Sequence, residues 1–305
     1  MKRLSSIIAL VAVLVPSLSM AAPAPPRVVE NPVLRVEVSG KGRPMLFVPG
    51  LTCGGDVWND AVAHYAARYE CHVVTLGGFS GKPRFEGPFM DTARESLLAY
   101  VKTARLAKPV IVGHSLGGVL AMEMAIAQPD AVGKLVIVDA LPFLGGAGDT
   151  AATEASARQS MEPMRQMVRG QTQEAYAAFQ RQAPWLRGMV APGPNYERVV
   201  KWAATSDHTS VADAMYDCGT RDLRGKIAAI QSPMLVLGSW YGYKDFSTKA
   251  AVEATFRRQF AKAPRWTLAL ADTARHFVML DSPEWTWSQM DAFLTDAKAT
   301  SQVER

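Results

Sequence analysis

The stretch Val112-Gly113-His114-Ser115-Leu116-Gly117-Gly118 decides the reading of this chain. It completes Val110-Ile111-Val112, a β-branched run apolar on both faces. It precedes Val119-Leu120-Ala121-Met122-Glu123-Met124, a run that favours helix. A serine between such a strand and such a helix must occupy a tight turn. Side chains on the flanking positions would clash there, which accounts for Gly113 and Gly117. In this setting Gly-x-Ser-x-Gly predicts that Ser115 is a nucleophile; a glycine-rich turn without chemistry is the plainer alternative.

Upstream of the turn, Pro25-Pro26 and Asn31-Pro32 mark an extended arm, and 33–38 alternates as a half-exposed strand does. Residues 44–48 form a short apolar strand that ends at Pro49-Gly50. Val57, Trp58, Val62, Tyr65, Ala66 and Tyr69 share one stripe and predict a helix over 57–69. A strand over 71–76 and a helix over 92–107 follow. Downstream, a helix over 119–128 stops at Pro129, and apolar strands are predicted at 135–138, 234–237 and 266–270. Such strands, separated by helices, imply an α/β fold with a mostly parallel central sheet covered on both faces. The piece from 143 to 226 breaks the rhythm. It has no strand pattern but has helical stretches at 153–167 and 174–182. It is read as a helical lid inserted between two core segments, 22–142 and 227–305.

Residues 1–21 read as a signal peptide. Lys2 and Arg3 form a positive start, 4–15 an apolar stretch, and Ser19-Met20-Ala21 a cleavage site after Ala21, so the mature protein is expected to be periplasmic or secreted. The alternative, an uncleaved anchor, needs about 20 apolar residues, and this stretch is too short. The formal charge of +5 is spread without a basic run, which gives no ground for a nucleic-acid partner. Three cysteines remain, and Cys53 and Cys71 are the pair nearest in sequence. They are expected at opposite edges of the sheet, separated by a helix rising about 18 Å. A disulfide needs Cα atoms within about 7 Å, so none is expected. No Cys/His spacing resembles a metal site, and no cofactor is expected.

In their order these elements resemble the α/β-hydrolase superfamily over nearly the whole mature chain. Residues 44–54 resemble the segment that supplies the family's first oxyanion-hole amide, although Pro49 stands where the family often has histidine. The resemblance implies a hole made by the backbone N–H groups of Leu51 and Leu116, a pair typically contributing several kcal/mol, on the order of 3–4 for one donor alone. Because both are backbone groups, Pro49 does not abolish them. A serine hydroxyl needs a base. Among five histidines, His114 reads as a packing residue beside Ser115, His64 lies in a helix, His72 begins a strand and His208 lies in the lid. His276, in Asp272-Thr273-Ala274-Arg275-His276-Phe277, resembles the late loop carrying the family's catalytic histidine. It is followed by Asp281-Ser282-Pro283-Glu284 and a closing helix.

Two aspartates compete as the acid that orients His276. Asp245 follows the strand at 234–237, the family's commoner location. However, Gly242 stands at the usual spacing, and Asp245 requires an enlarged loop through Trp240-Tyr241-Gly242-Tyr243-Lys244. Asp139 ends the strand at 135–138, from which a minority of the superfamily draws its acid. An ionised carboxylate behind an apolar strand calls for a partner. Asp139 is preferred, with Asp245 retained as the alternative; Asp272 and Asp281 read as loop and cap residues.

The expected reaction is hydrolysis of carboxylic esters through an acyl-enzyme. Trp185, Tyr196, Trp202, Tyr216 and methionines such as Met161, Met164 and Met189 favour small or hydrophobic acyl or aromatic esters, although each could equally seal the lid onto the core. Amidase, iminopeptidase or perhydrolase chemistry on the same residues is the alternative. A ligand-binding protein that keeps the fold without turnover is the rival from another class.

Overall fold

The computed structural model describes residues 25–295. The expected signal peptide, 1–21, lies outside the described residues. The strands are β1 (Arg27–Glu30), β2 (Leu34–Gly40), β3 (Arg43–Val48), β4 (Tyr69–Leu76), β5 (Val110–His114), β6 (Lys134–Val138), β7 (Met234–Ser239) and β8 (Trp266–Ala271). They form one eight-stranded sheet in the order β1-β2-β4-β3-β5-β6-β7-β8. Pairing is antiparallel for β1 with β2 and β2 with β4, and parallel across the rest.

The helices are α1 (Asn59–Tyr65), α2 (Phe89–Thr103), α3 (Leu116–Ala127), α4 (Glu154–Arg169), α5 (Gln173–Gln182), α6 (Leu186–Met189), α7 (Pro194–Thr205), α8 (His208–Thr220), α9 (Lys249–Gln259), α10 (Val278–Asp281) and α11 (Pro283–Thr295). Alternate side chains of each central strand enter opposite apolar layers, as the period of two requires. Leu46, Val48, Ile111, Leu135, Ile137 and Val236 pack with α2, α3 and α9. Met45, Phe47, Val112, Val136, Val138 and Leu237 pack with α1 and α11 on the other face. This double burial is why these strands are apolar throughout.

Several elements depart from the sequence expectation. The helix expected over 57–69 is a 3-10 turn, Gly55–Trp58, followed by the short α1. Tyr69 instead opens β4, opposite Arg43 in a parallel ladder. Its ring still meets Tyr65 edge-on, with centroids 5.7 Å apart, so the apolar stripe was real but did not lie on one helix. The arm before residue 33 pairs with β2 as an edge strand, β1. α2 starts and ends a turn earlier than periodicity suggested, at Phe89 and Thr103.

Between β6 and β7 the chain forms α4 to α8 and contains no strand. Tyr176, Val211, Ala214 and Cys218 of this insertion join one layer of the core, and Leu186, Val190, Val199 and Trp202 the other. Polar ties reinforce the seating. Arg221, just after α8, donates to Glu123 of α3 at 3.0 Å and to both oxygens of Asp91 of α2 at 3.0 and 2.9 Å. Burial is the main cause raising the Glu123 carboxyl above its usual range. Cys53, Cys71 and Cys218 are buried free thiols.

Candidate active site

Parallel strands present their C-terminal ends at one edge of the sheet, and the ends of β3, β5, β6, β7 and β8 converge there. Ser115 follows β5 and caps α3 with φ 52° and ψ −120°, a strained conformation for a residue with a side chain. The turn leaves no room for side chains beside it. A Cβ on Gly113 would fall on the carbonyl of Gly117, and one on Gly117 on the carbonyls of Val48 and Pro49. The backbone N–H of Ser115 donates to the Val138 carbonyl of β6 at 2.9 Å, fixing the turn to the neighbouring strand. Ser115 is the one partly exposed residue among buried neighbours on both sides.

Asp139 lies one residue past β6, also with positive φ (48°), a region aspartate tolerates better than most residues. Its Oδ2 is 2.7 Å from Nδ1 of His276. Ser239, at the end of β7, donates its backbone N–H to Oδ1 at 2.7 Å and its hydroxyl to Oδ2 at 2.9 Å. The Asp139 side chain is 6% exposed and that of His276 14%. A carboxylate with three donors in such a place is the partnered buried charge that burial energetics require. Asp245 is elsewhere: its side chain is 74% exposed and pairs with Lys244.

With Nδ1–H donated to Asp139, Nε2 of His276 carries the lone pair. His276 and Ser115 share a neighbour, His114. The His114 ring centroid is 4.7 Å from that of His276, and its Nε2–H donates to the His276 carbonyl at 3.1 Å. Complete burial, and then the neighbouring His276, hold the His114 pKa well below the ordinary histidine range, so this ring stays neutral. Its Nδ1 is buried without a partner among the described residues. From its sequence His114 reads as a packing residue; the structure adds a polar bond. The repeated apolar pattern gives no sign of its bond to a loop 162 positions away. Ser239 was missed for the same reason.

Leu116 opens α3, so its N–H is one of the unpaired donors of a helix start, where the helix dipole also favours negative charge. Leu51 sits in a turn closed by the Cys53 N–H and the Gly50 carbonyl at 3.2 Å. Thr52, its next residue, has φ 66°, which a β-branched residue adopts only when its surroundings impose it. Here the Thr52 carbonyl lies 3.2 Å from the hydroxyl of Ser206, which is fully buried at the end of α7 and 2.8 Å from the Trp202 carbonyl. Cys53 nearby is no rival nucleophile, because burial, and then Asp56, push its thiol pKa far up. Among the described residues, no group of three or more His, Cys, Asp or Glu side chains is placed to hold a metal ion. None of their helices is long and apolar enough to cross a membrane.

Comparison with known proteins bears on this arrangement. Residues 45–289 match the model of the alpha/beta hydrolase family. The chain is 25% identical over 267 residues to a pimeloyl-[acyl-carrier protein] methyl ester esterase of Vibrio cholerae, covering 85% of this chain and 97% of that one. It is 32% identical over 107 residues to the protein of the same name from Aeromonas salmonicida, where the match spans 35% of this chain and only 41% of the relative. A hydrolase from Pseudomonas aeruginosa superposes with a TM-score of 0.72 at 16% identity, over 86% of this chain and 94% of that one.

Proposed function

The chain belongs to the alpha/beta hydrolase family, and from that membership we propose that it hydrolyses carboxylic esters by acyl transfer to Ser115. The observation that carries this reading is the 2.7 Å pair of Asp139 and His276 at the same sheet edge as the strained serine. In the proposed cycle, Nε2 of His276 takes the Ser115 proton as the hydroxyl oxygen bonds to the ester carbonyl carbon. The resulting oxyanion is held by the N–H groups of Leu51 and Leu116, and by the dipole of α3. Asp139 holds the ring in the Nδ1–H tautomer and stabilises the imidazolium. That imidazolium protonates the departing alkoxide. His276 then activates water, which releases the acid and restores the serine.

The esterase names of the relatives support an ester over an amide. The insertion between β6 and β7 is proposed to act as a lid whose apolar residues favour small or hydrophobic acyl or aromatic groups. A fluorophosphonate probe together with a panel of p-nitrophenyl esters tests the reading. An adduct on Ser115 and turnover that is lost in Ser115→Ala are expected. A folded wild-type protein that forms no adduct would overturn it.

A further inference from the structure

The loop carrying His276 is not held by the sheet alone. Asp281, at the end of α10, accepts the backbone N–H of Arg275 on Oδ2 at 2.9 Å. Its other oxygen, Oδ1, accepts the backbone N–H of Ala191 at 2.9 Å, and Ala191 belongs to the insertion. Next to this carboxylate, the Phe277 N–H donates to the carbonyl of Met189 at 3.0 Å, again joining loop to insertion. Val190, Ala274, Phe277 and Val278 are buried together around the junction. His276 therefore lies between two residues, Arg275 and Phe277, whose amides are both engaged by this seam. A carboxylate suits the junction because it presents an acceptor to each of two amides.

We propose that Asp281 is a positioning residue, one that fixes the His276 loop to the 189–191 segment so that the histidine is aligned only while the insertion is seated. The inference rests on the proposed role of His276 as base. Contacts between a substrate and the insertion would then reach the proton-transfer step through Asp281 and the Phe277–Met189 bond beside it, with no element needing to swing across the site. Asp281→Asn keeps the shape but turns an amide group toward one of the two N–H donors, so one bond is lost. Asp281→Ala loses both.

The test compares full-length wild type, Asp281→Asn and Asp281→Ala. Steady-state hydrolysis of a p-nitrophenyl ester is expected to show kcat reduced about tenfold in Asp281→Asn and about a hundredfold in Asp281→Ala, with KM within twofold. Fluorophosphonate labelling of Ser115 should slow by the same factors. Amide hydrogen exchange is expected to rise in 189–191 and in 275–278 together. Unchanged kcat in folded Asp281→Ala, or faster exchange in only one of the two segments, would overturn the proposal. If the wild type leaves esters untouched, the proposed ester hydrolysis fails, while joint or separate exchange still decides whether Asp281 ties the two segments.

Discussion

Nδ1 of His276 and Oδ2 of Asp139 stand 2.7 Å apart although 137 positions separate them in the chain. Replacing Asp139 by asparagine would let an amide N–H face Nδ1 and favour the tautomer in which Nε2 no longer has its lone pair. Asp139→Asn is expected to lower kcat about 10³- to 10⁴-fold with folding intact, the scale seen when such an acid is neutralised. Asp245→Asn should change kcat by less than about twofold, since its side chain lies exposed beside Lys244. Parallel kinetics of the two variants, with circular dichroism as the folding check, decides between them.

The glycines around the serine turn differ sharply from one in open space. A Cβ at position 117 would fall on two backbone carbonyls, whereas nothing lies within 4 Å of one at position 148. Gly117→Ala is expected to lose at least about 2 kcal/mol of stability, and Gly148→Ala less than about 0.5. Urea denaturation midpoints measure both, and similar values for the two would refute the crowded turn.

Arg221 is the counter-charge of a buried carboxylate. Removing it in Arg221→Met leaves Glu123 uncompensated, and about 3–5 kcal/mol of stability should go. Adding Glu123→Gln removes the stranded charge and should recover part of the loss. The double-mutant cycle by chemical denaturation is the measurement, and simple additivity would contradict the coupling.

Stability should fall on the acid side of neutrality. Burial lowers the pKa of His114 and of His72, whose Nδ1 lies 2.7 Å from the Tyr100 hydroxyl. Below about pH 6.5 the unfolded chain therefore binds protons that the folded chain refuses. Stability decreases as pH drops through that window, by at most about 1.4 kcal/mol per unit for each such histidine. Denaturation of wild type and His72→Gln at pH 7.5 and 5.5 should show a smaller difference in the variant. An equal difference would exclude His72 as a source.

Local rules made much of this fold legible. β5, the serine turn and α3 could be read from one heptapeptide and its flanks because strand, glycine and helix signals there agree. The helix expected through Tyr69 failed because a ladder with β3 outweighs periodicity, and ladder partners are not written in local sequence. At the site, Ser115 and His276 each carried a local signature. The choice between Asp139 and Asp245 did not, because it depends on which strand end lies within reach of the His276 loop, and the aspartate that does is 137 positions away in the chain. The donors from Ser239, and the paired amides at Asp281, are likewise properties of three-dimensional packing.

The place of Asp139, just past β6, has a consequence for how such a chain can diversify. On the proposed assignment, β3, β5, β6 and β8 each contribute one part of the chemistry, while β7 contributes only Ser239 as a support for Asp139. The aromatic turn beyond it, Tyr241–Tyr243, is released from proton transfer. It packs on the histidine loop and on the insertion, with the Arg275 guanidinium 5.4 Å from the centre of the Tyr241 ring and the Gly188 carbonyl leaving no room for a Cβ at Gly242. Side-chain exchanges at Tyr241 and Tyr243, which leave Asp139 and Ser239 in place, are where a directed library would seek altered substrate choice.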